Sequence, residues 1–200
     1  TRKMKEKIIA KATDLFLKLG FKSITMDDLA GEMCISKKTI YKFFGNKEIL
    51  IAECTDKMHK FYRGLIQDIA SKKFNPIAEN FEIRKIFKTM FIMTDTSPLY
   101  QLKKYYPEIY DKVLAEENLE GIRFMKDNLK KGVEQGYYRN DINIDMTARL
   151  YFILCLAINE NINSEIESQN LEYGALEYHT RAIATEKGII ELEKQLSIHL

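Results

Sequence analysis

The stretch from Lys47 to Ser71 constrains the fold of this chain more than any other part of the sequence. It contains no proline, and its large apolar residues, such as Leu50, Phe61 and Ile69, recur at helical intervals. A helix of this length extends roughly 35 Å at 1.5 Å per residue. It must therefore leave a small amino-terminal domain and enter the body that follows, which makes it a mechanical link between the two.

The composition predicts that the rest of the chain is helical as well. Only three prolines and nine glycines occur in 200 residues, and the 46% of hydrophobic residues can form a substantial core. We expect an all-α chain made of two domains, residues 1–46 and 47–200. The helices expected in the second domain after the linking helix cover about 76–94, 98–106, 107–135, 145–163, 171–184 and 186–197.

The amino-terminal domain has the pattern of a helix-turn-helix. An apolar stripe over residues 8–19 predicts a first helix, and two shorter helices follow it. Thr25, Ser36 and Asn46 are residues suited to cap the second, third and linking helices, and Gly45 is suited to end the third. The connection between the two short helices is only a few residues long, so it must be a tight corner.

Cationic and hydroxyl side chains lie on the outer surface of the two short helices and at the start of the linking helix. Lys37, Lys38 and Lys47 fall in first turns, where a cation opposes the helix dipole, so we expect an external anion there. The alternative is a solvated lysine face.

The distribution of charge favours nucleic acid as that anion. Residues 1–60 carry 13 Lys and Arg against 8 Asp and Glu, whereas residues 61–200 carry 18 against 21. The excess of positive charge therefore lies at one end of the chain. The expected contacts are Lys37, Lys38 and Thr39 to base edges, and Thr25, Ser36, Tyr41, Lys42 and Lys47 to phosphates.

The block from Ile8 to Leu50 resembles the DNA-binding domain of the TetR/AcrR-type bacterial transcriptional regulators. The resemblance lies in a first helix that ends in LGF, in TMDDLA, and in the run ISKKTIYKFFGNKEIL. It implies that the helix over residues 36–44 enters a major groove and that two copies of the chain read half-sites about 34–36 Å apart. At Cys34 the family usually has a glycine suited to a left-handed turn, so we expect a slightly different turn or a small strain. We also expect this thiol to be buried in the turn; the alternative is a redox sensor.

The second domain is rich in aromatic and methionine residues. Most should be core, because a stripe at helical spacing usually packs against another helix. Tyrosine hydroxyls need partners and methionine adapts to irregular shapes, so a pocket between helices is the alternative for a subset. The family resemblance implies such a pocket too, since these regulators bind small, often apolar inducers. The expected pocket residues are Phe87, Met90, Phe91, Tyr105, Phe124 and Phe152.

Two late segments predict a homodimer. The run from Leu150 to Ile158 is apolar nearly all round, which a helix on the surface of a monomer would not tolerate. With the following helix it could form half of a four-helix interface across a two-fold axis, which suits palindromic DNA. The alternative is that both helices are buried within one chain. The expected interface residues are Leu150, Leu154, Ile158, Leu171, Leu176 and Ile183.

Other classes of function have little support in the sequence. Three cysteines at unrelated spacings fit a reducing cytoplasm, and no metal-ligand spacing includes them, so we expect neither a metal nor a cofactor. We find no nucleophile set, acid/base pair or glycine-rich phosphate loop, so an enzyme is not expected. The longest apolar run is too short to span a bilayer.

The combined expectation is a ligand-responsive transcriptional regulator that binds double-stranded operator DNA as a homodimer. Its most direct form is a repressor that a small-molecule inducer releases from DNA. Inducer and operator must then weaken each other's binding by the same factor. An activator needs the same amino-terminal domain, so that alternative stays open. A helical small-molecule-binding protein that has lost DNA recognition is the other alternative.

Overall fold

The computed structural model describes residues 2–90 and 96–199, apart from the side chains of Met90 and of residues 116–118. Within these ranges the chain forms ten α-helices and no β-strand, so the all-α expectation is confirmed. The helices are α1 (Arg2–Leu19), α2 (Met26–Glu32), α3 (Lys37–Tyr41), α4 (Lys47–Ser71), α5 (Pro76–Met90), α6 (Pro98–Tyr105), α7 (Pro107–Glu134), α8 (Ile144–Asn161), α9 (Glu165–Ile183) and α10 (Glu186–His199).

Local capping fixes the starts of α2, α3 and α4. The Thr25 hydroxyl accepts a hydrogen bond from the backbone N–H of Asp28, and the Asp28 carboxylate accepts one from the N–H of Thr25, which completes a capping box. Ser36 caps α3, and Asn46 caps α4 by accepting from Ile49 N at 2.8 Å. The sequence predicted all three caps, and the structure confirms them.

The linking helix α4 has the bounds expected from the sequence. Its first turns bury Leu50, Ile51 and Cys54 in a core shared with α1, α2 and α3. Leu102 of α6 and Tyr110 of α7 belong to the same core. This first core is therefore closed on one side by helices of the second domain.

The loop between α1 and α2 is fastened directly to α6 and to the start of α7. The side-chain oxygen of the buried residue Gln101 accepts a hydrogen bond from Phe21 N at 2.8 Å. The Tyr106 hydroxyl donates to the carbonyl oxygen of Phe21 at 3.3 Å. Both backbone groups of one loop residue are thus satisfied by side chains from the other domain.

A second core lies between α5, α7, α8, α9 and α10, and a buried polar network crosses it. Asn128 of α7 donates to the Glu79 carboxylate at 2.8 Å, and the Lys131 ammonium lies 2.6 Å from the same carboxylate. The buried hydroxyl of Tyr138 donates to the side-chain oxygen of Asn128 at 3.3 Å. Because every charge in this network has a partner, it fixes α5 against α7 without leaving an isolated buried ion.

Two helices differ from the sequence prediction. Helix α3 ends at Tyr41, so Phe43 and Phe44 follow it in a turn and pack from there. Helix α9 begins at Glu165, six residues before the predicted start, because Ser164 caps it by accepting from Glu167 N at 3.3 Å. Within the described ranges, no helix is long and apolar enough to cross a membrane.

Candidate nucleic-acid interface and ligand cavity

Helix α3 presents an exposed basic surface. Lys38, Tyr41 and Lys42 are exposed, and the ammonium groups of Lys38 and Lys42 have no ion pair or hydrogen bond with any described residue. Lys37 is also exposed, but its ammonium lies 2.8 Å from the Asp27 carboxylate of α2. We call Lys37, Lys38, Tyr41 and Lys42 together the α3 face. Two of its three cations are therefore available to an external anion without breaking an internal contact.

The hydroxyl groups expected at this surface are partly engaged in capping. The Thr25 hydroxyl donates to the Asp28 carboxylate at 2.7 Å, and the oxygens of Ser36 and Thr39 lie 2.8 Å apart. All three residues keep part of their surface open to solvent. A hydroxyl oxygen can accept and donate at once, so these caps leave the groups room for one further bond.

Lys47 differs from the other lysines expected to contact DNA. Its ammonium donates to the carbonyl oxygen of Lys22 at 3.1 Å and lies about 6 Å from the ring centres of Phe16 and Tyr106. Partial burial lowers the pKa of Lys47 from its ordinary value. The side chain therefore lies at the junction of the two domains, bound to the loop that Gln101 also holds.

Cys34 shows how the tight corner is made. It has a φ of 52°, the left-handed conformation that favours glycine, so the turn keeps its geometry and the cysteine bears the strain. Its side chain is exposed, which corrects the expectation of a buried thiol. Because the thiol is open to solvent, it does not fill the turn between the two helices.

A cavity of about 470 Å³ lies between α4, α5, α6, α7, α8 and α9. Phe87, Phe124 and Phe152, three of the expected pocket residues, line it. Phe21 of the loop between α1 and α2 also lines it, so one cavity wall belongs to the first core. The volume and the mainly apolar lining suit a small organic molecule.

The other three residues expected in the pocket fall into two groups. Tyr105 is a correction: its ring is exposed and lies 4.7 Å from the Lys22 ammonium and 5.4 Å from that of Lys104. The tyrosine sits near the end of α6, where its side chain turns outward over these lysines. Phe91 and the side chain of Met90 lie outside the described residues.

Charged groups in the cavity wall were missed by the sequence analysis. Arg84 of α5 and Glu172 of α9 form an ion pair with 2.5 Å between nitrogen and oxygen, and both side chains are largely buried. At another part of the wall, Arg63 lies 2.6 Å from Glu120. Arg84 follows Ile77 and Phe81 at helical spacing, so a charge on an otherwise inward-facing stripe was the available signal.

The late helices present an exposed apolar face. Leu150, Ile153 and Leu154 of α8 and Leu171 and Tyr178 of α9 are exposed, and we call these five residues the α8–α9 face. Several exposed large apolar side chains on two packed helices are typical of an interaction surface.

Two of the residues expected in the interface lie elsewhere. Leu176 and Ile183 are buried in the second core, which corrects the expectation for both, whereas Ile158 is half-buried and keeps part of its surface open. Because α9 packs one side on α8 and α5, its inward residues belong to the chain's own core.

Comparison with known proteins identifies the family. Residues 8–54 match the family model described as bacterial regulatory proteins, tetR family. The amino-terminal region of the chain therefore belongs to the TetR family, as its sequence motifs indicated. The match runs from within α1 to the first turns of α4 and includes the α3 face.

Similarity to curated relatives extends over most of the chain. The HTH-type transcriptional regulator YdeS of Bacillus subtilis is 25% identical over 156 residues, which is 72% of this chain and 72% of YdeS. The HTH-type transcriptional repressor KstR2 of Mycobacterium tuberculosis is 23% identical over 150 residues, which is 71% of this chain and 72% of KstR2. A transcriptional regulator from Cytophaga hutchinsonii has a similar solved structure, with a TM-score of 0.73 at 16% identity over 90% of this chain and 98% of that one. These relatives are transcriptional regulators and not enzymes.

Proposed function

We propose that this TetR-family regulator is a repressor that binds palindromic operator DNA as a homodimer and is released by a small-molecule inducer. The α3 face carries the proposal, because it places unpaired ammonium groups on an exposed helix of a helix-turn-helix. Each α3 enters a major groove, and the two copies read half-sites about 34–36 Å apart. The repressor KstR2 among the relatives supports the direction of regulation.

The proposed contacts divide into two classes. Base edges are read from the outer side of α3, and phosphates are held around it. Lys37 must exchange the Asp27 carboxylate for DNA, and Lys47 must exchange the Lys22 carbonyl. The residues proposed for base edges are Lys37, Lys38 and Thr39, and those proposed for phosphates are Thr25, Ser36, Tyr41, Lys42 and Lys47.

The second part of the proposal is the coupling between inducer and DNA. An inducer in the cavity touches Phe21, whose backbone is bound to Gln101 and Tyr106. Inducer binding favours a position of the amino-terminal domain that no longer matches the operator, so it weakens operator binding. Operator DNA must weaken inducer binding by the same factor. In this division, residues 1–46 read DNA, and residues 47–200 bind the inducer and dimerise through the α8–α9 face. The operator lies in the bacterial cytoplasm, so the proposal places the regulator there.

Two substitutions in the α3 face test DNA binding. We expect Lys42→Ala, which removes a phosphate contact, to weaken binding to all sequences and to flatten the salt dependence by about one unit per protomer. We expect Lys38→Ala to cost about 1–3 kcal/mol on the operator and less on unrelated DNA, because it removes a base contact. The measurement is a mobility shift on DNA flanking the encoding gene, repeated at several salt concentrations.

Lys73→Ala is the matched control, since Lys73 is an exposed lysine in the α4–α5 loop at the far end of α4. It makes the same change of charge and should leave affinity and salt dependence unchanged. If all three variants behave alike, the α3 face does not bind DNA. Wild-type protein that shifts no flanking DNA at low salt would instead favour a small-molecule-binding protein that has lost DNA recognition. An activator would bind the same DNA, and transcription measured with and without the regulator separates it from a repressor.

A further inference from the structure

Glu165 is a buried carboxyl group in the wall of the cavity with an unsatisfied oxygen. Its side chain belongs to the first residue of α9, and the residue is only 5% exposed. Oε1 accepts a hydrogen bond from Gln169 at 2.9 Å, whereas Oε2 has no hydrogen-bond partner among the described residues. The helix start does not require this group, because Ser164 already caps α9. A buried oxygen without a donor is unfavourable, and it indicates a place for a ligand.

The charged groups around Glu165 do not neutralise it. Glu172, two turns further along α9 in the same cavity wall, is bound by Arg84 of α5 at 2.5 Å and by Asn159 of α8 at 2.7 Å. Arg84 is thus committed to Glu172. Tyr151 and Cys155 of α8 also line the cavity, and the remaining titratable groups of its lining are His59, Tyr62, Arg63, Glu120, Arg123 and Asp127. No described cation forms an ion pair with Glu165, so this part of the cavity has room for one more positive charge.

Burial brings the pKa of the Glu165 carboxyl close to neutral pH. The pKa of Glu165 is raised to about 7, mainly by burial and further by the negative charge of Glu172. Without a ligand the carboxyl is about half protonated at pH 7. The protonated form reduces the free-energy cost of burying Oε2 without a hydrogen-bond donor. A cation that binds beside it would favour the ionised form and expel the remaining proton.

We propose that Glu165 binds a protonated amine carried by an otherwise apolar effector. The inference rests on the proposed function of the cavity as the inducer site, and it adds the chemical class of the inducer. Phe87, Phe124 and Phe152 supply an apolar and aromatic wall for the body of the molecule. The ammonium group donates to Oε2 of Glu165, and the aromatic rings nearby favour a cation over an anion.

Two probes of similar size and shape test the proposal, namely 4-phenylbutylamine and 4-phenylbutan-1-ol. Their affinities are measured by calorimetry at pH 6 and pH 8 on the full chain. We expect the amine to bind at least tenfold more tightly than the alcohol at pH 8. The ionised fraction of a carboxyl with a pKa near 7 falls about tenfold between pH 8 and pH 6, so the amine should lose up to that factor while the alcohol changes little.

Two substitutions test whether Glu165 causes the preference for the amine over the alcohol. Glu165→Gln should remove the preference for the amine and its pH dependence, because an amide cannot compensate the positive charge. Glu167→Gln makes the same change at an exposed position two residues away and should behave as wild type. The number of protons released on binding gives an independent test with the wild-type protein. Amine binding at pH 7 should release about half a proton, which is measured by calorimetry in buffers of different ionisation enthalpy.

The outcomes separate this inference from the proposed function. An alcohol that binds as tightly as the amine at pH 8 overturns the amine site and leaves an inducer cavity in place. The same holds if amine binding releases no proton. If neither probe binds, both the amine site and the inducer cavity are overturned, whereas DNA binding is decided by the mobility shift alone.

Discussion

Gly188, in the first turn of α10, occupies a position where no larger residue fits. A methyl group on its Cα would collide with the carbonyl oxygen of Tyr137, a backbone atom that cannot rotate away. That carbonyl also accepts a hydrogen bond from Thr185 N at 3.0 Å, so moving it breaks a second contact. We expect Gly188→Ala to lower the free energy of unfolding by about 1–3 kcal/mol, the usual cost of overpacking. Urea denaturation at one protein concentration measures the difference.

Gly64→Ala is the control for this prediction. Gly64 lies in the exposed middle of α4, and a methyl group on its Cα would have no described residue from outside its own helical turns within 4 Å. The substitution should raise the free energy of unfolding by about 0.5–1 kcal/mol, because alanine favours the helix. A loss of equal size in both variants would mean that the close approach at Gly188 does not determine stability.

Residue-scale features could be predicted from the sequence where the cause is local. Thr25, Ser36 and Asn46 cap helices because each is followed by the backbone groups that it binds, so a few residues decide the outcome. The burial of Glu165 could not be predicted in this way. Its burial depends on how the helices around the cavity pack, and an acidic residue in a first turn normally indicates a solvated helix start.

At the scale of elements, α4 was predicted with its final bounds because a cap, a long apolar period and a following proline all agree. The start of α9 was missed, although Ser164 with Glu167 three residues later is itself a capping pattern. The two sides of α8 and α9 were not separated either. The run from Leu150 to Ile158 in α8 is apolar nearly all round and gives no period from which to tell the core side from the outer side, so Leu150 and Ile158 looked alike.

The contact between α6 and the α1–α2 loop leads to a prediction about how the domains hold together. Gln101→Leu keeps the volume of the side chain but leaves the N–H of Phe21 without its acceptor in a buried site. We expect a cost of about 1–3 kcal/mol in unfolding free energy and faster amide hydrogen exchange over residues 20–24. Lys103→Leu, at an exposed position of the same helix, removes an ion pair with Glu160 and should leave that exchange unchanged. Unchanged exchange in Gln101→Leu would show that this bond does not fasten the loop.

At the scale of the whole molecule, the two α3 faces of a dimer can read one operator only if the subunits stay together. The α8–α9 face is proposed to hold them, and its residues recur at helical spacing, with Leu150, Ile153 and Leu154 along α8. Ile153 is 59% exposed in the single chain, so its replacement removes little from the core of one subunit. A charge buried in an apolar interface without a partner is strongly unfavourable, which makes Ile153→Glu a sharp test of this surface.

We expect Ile153→Glu to sediment as a monomer at micromolar concentration while the wild type sediments as a dimer. Its affinity for the operator should fall by about 10²–10⁴, because the second half-site is no longer bound by a tethered partner. Ile190→Glu introduces the same charge at an exposed position of α10 and should stay dimeric, with operator affinity unchanged. If Ile153→Glu stays dimeric and Ile190→Glu dissociates, the interface lies on α10 and the proposed role of the α8–α9 face is wrong.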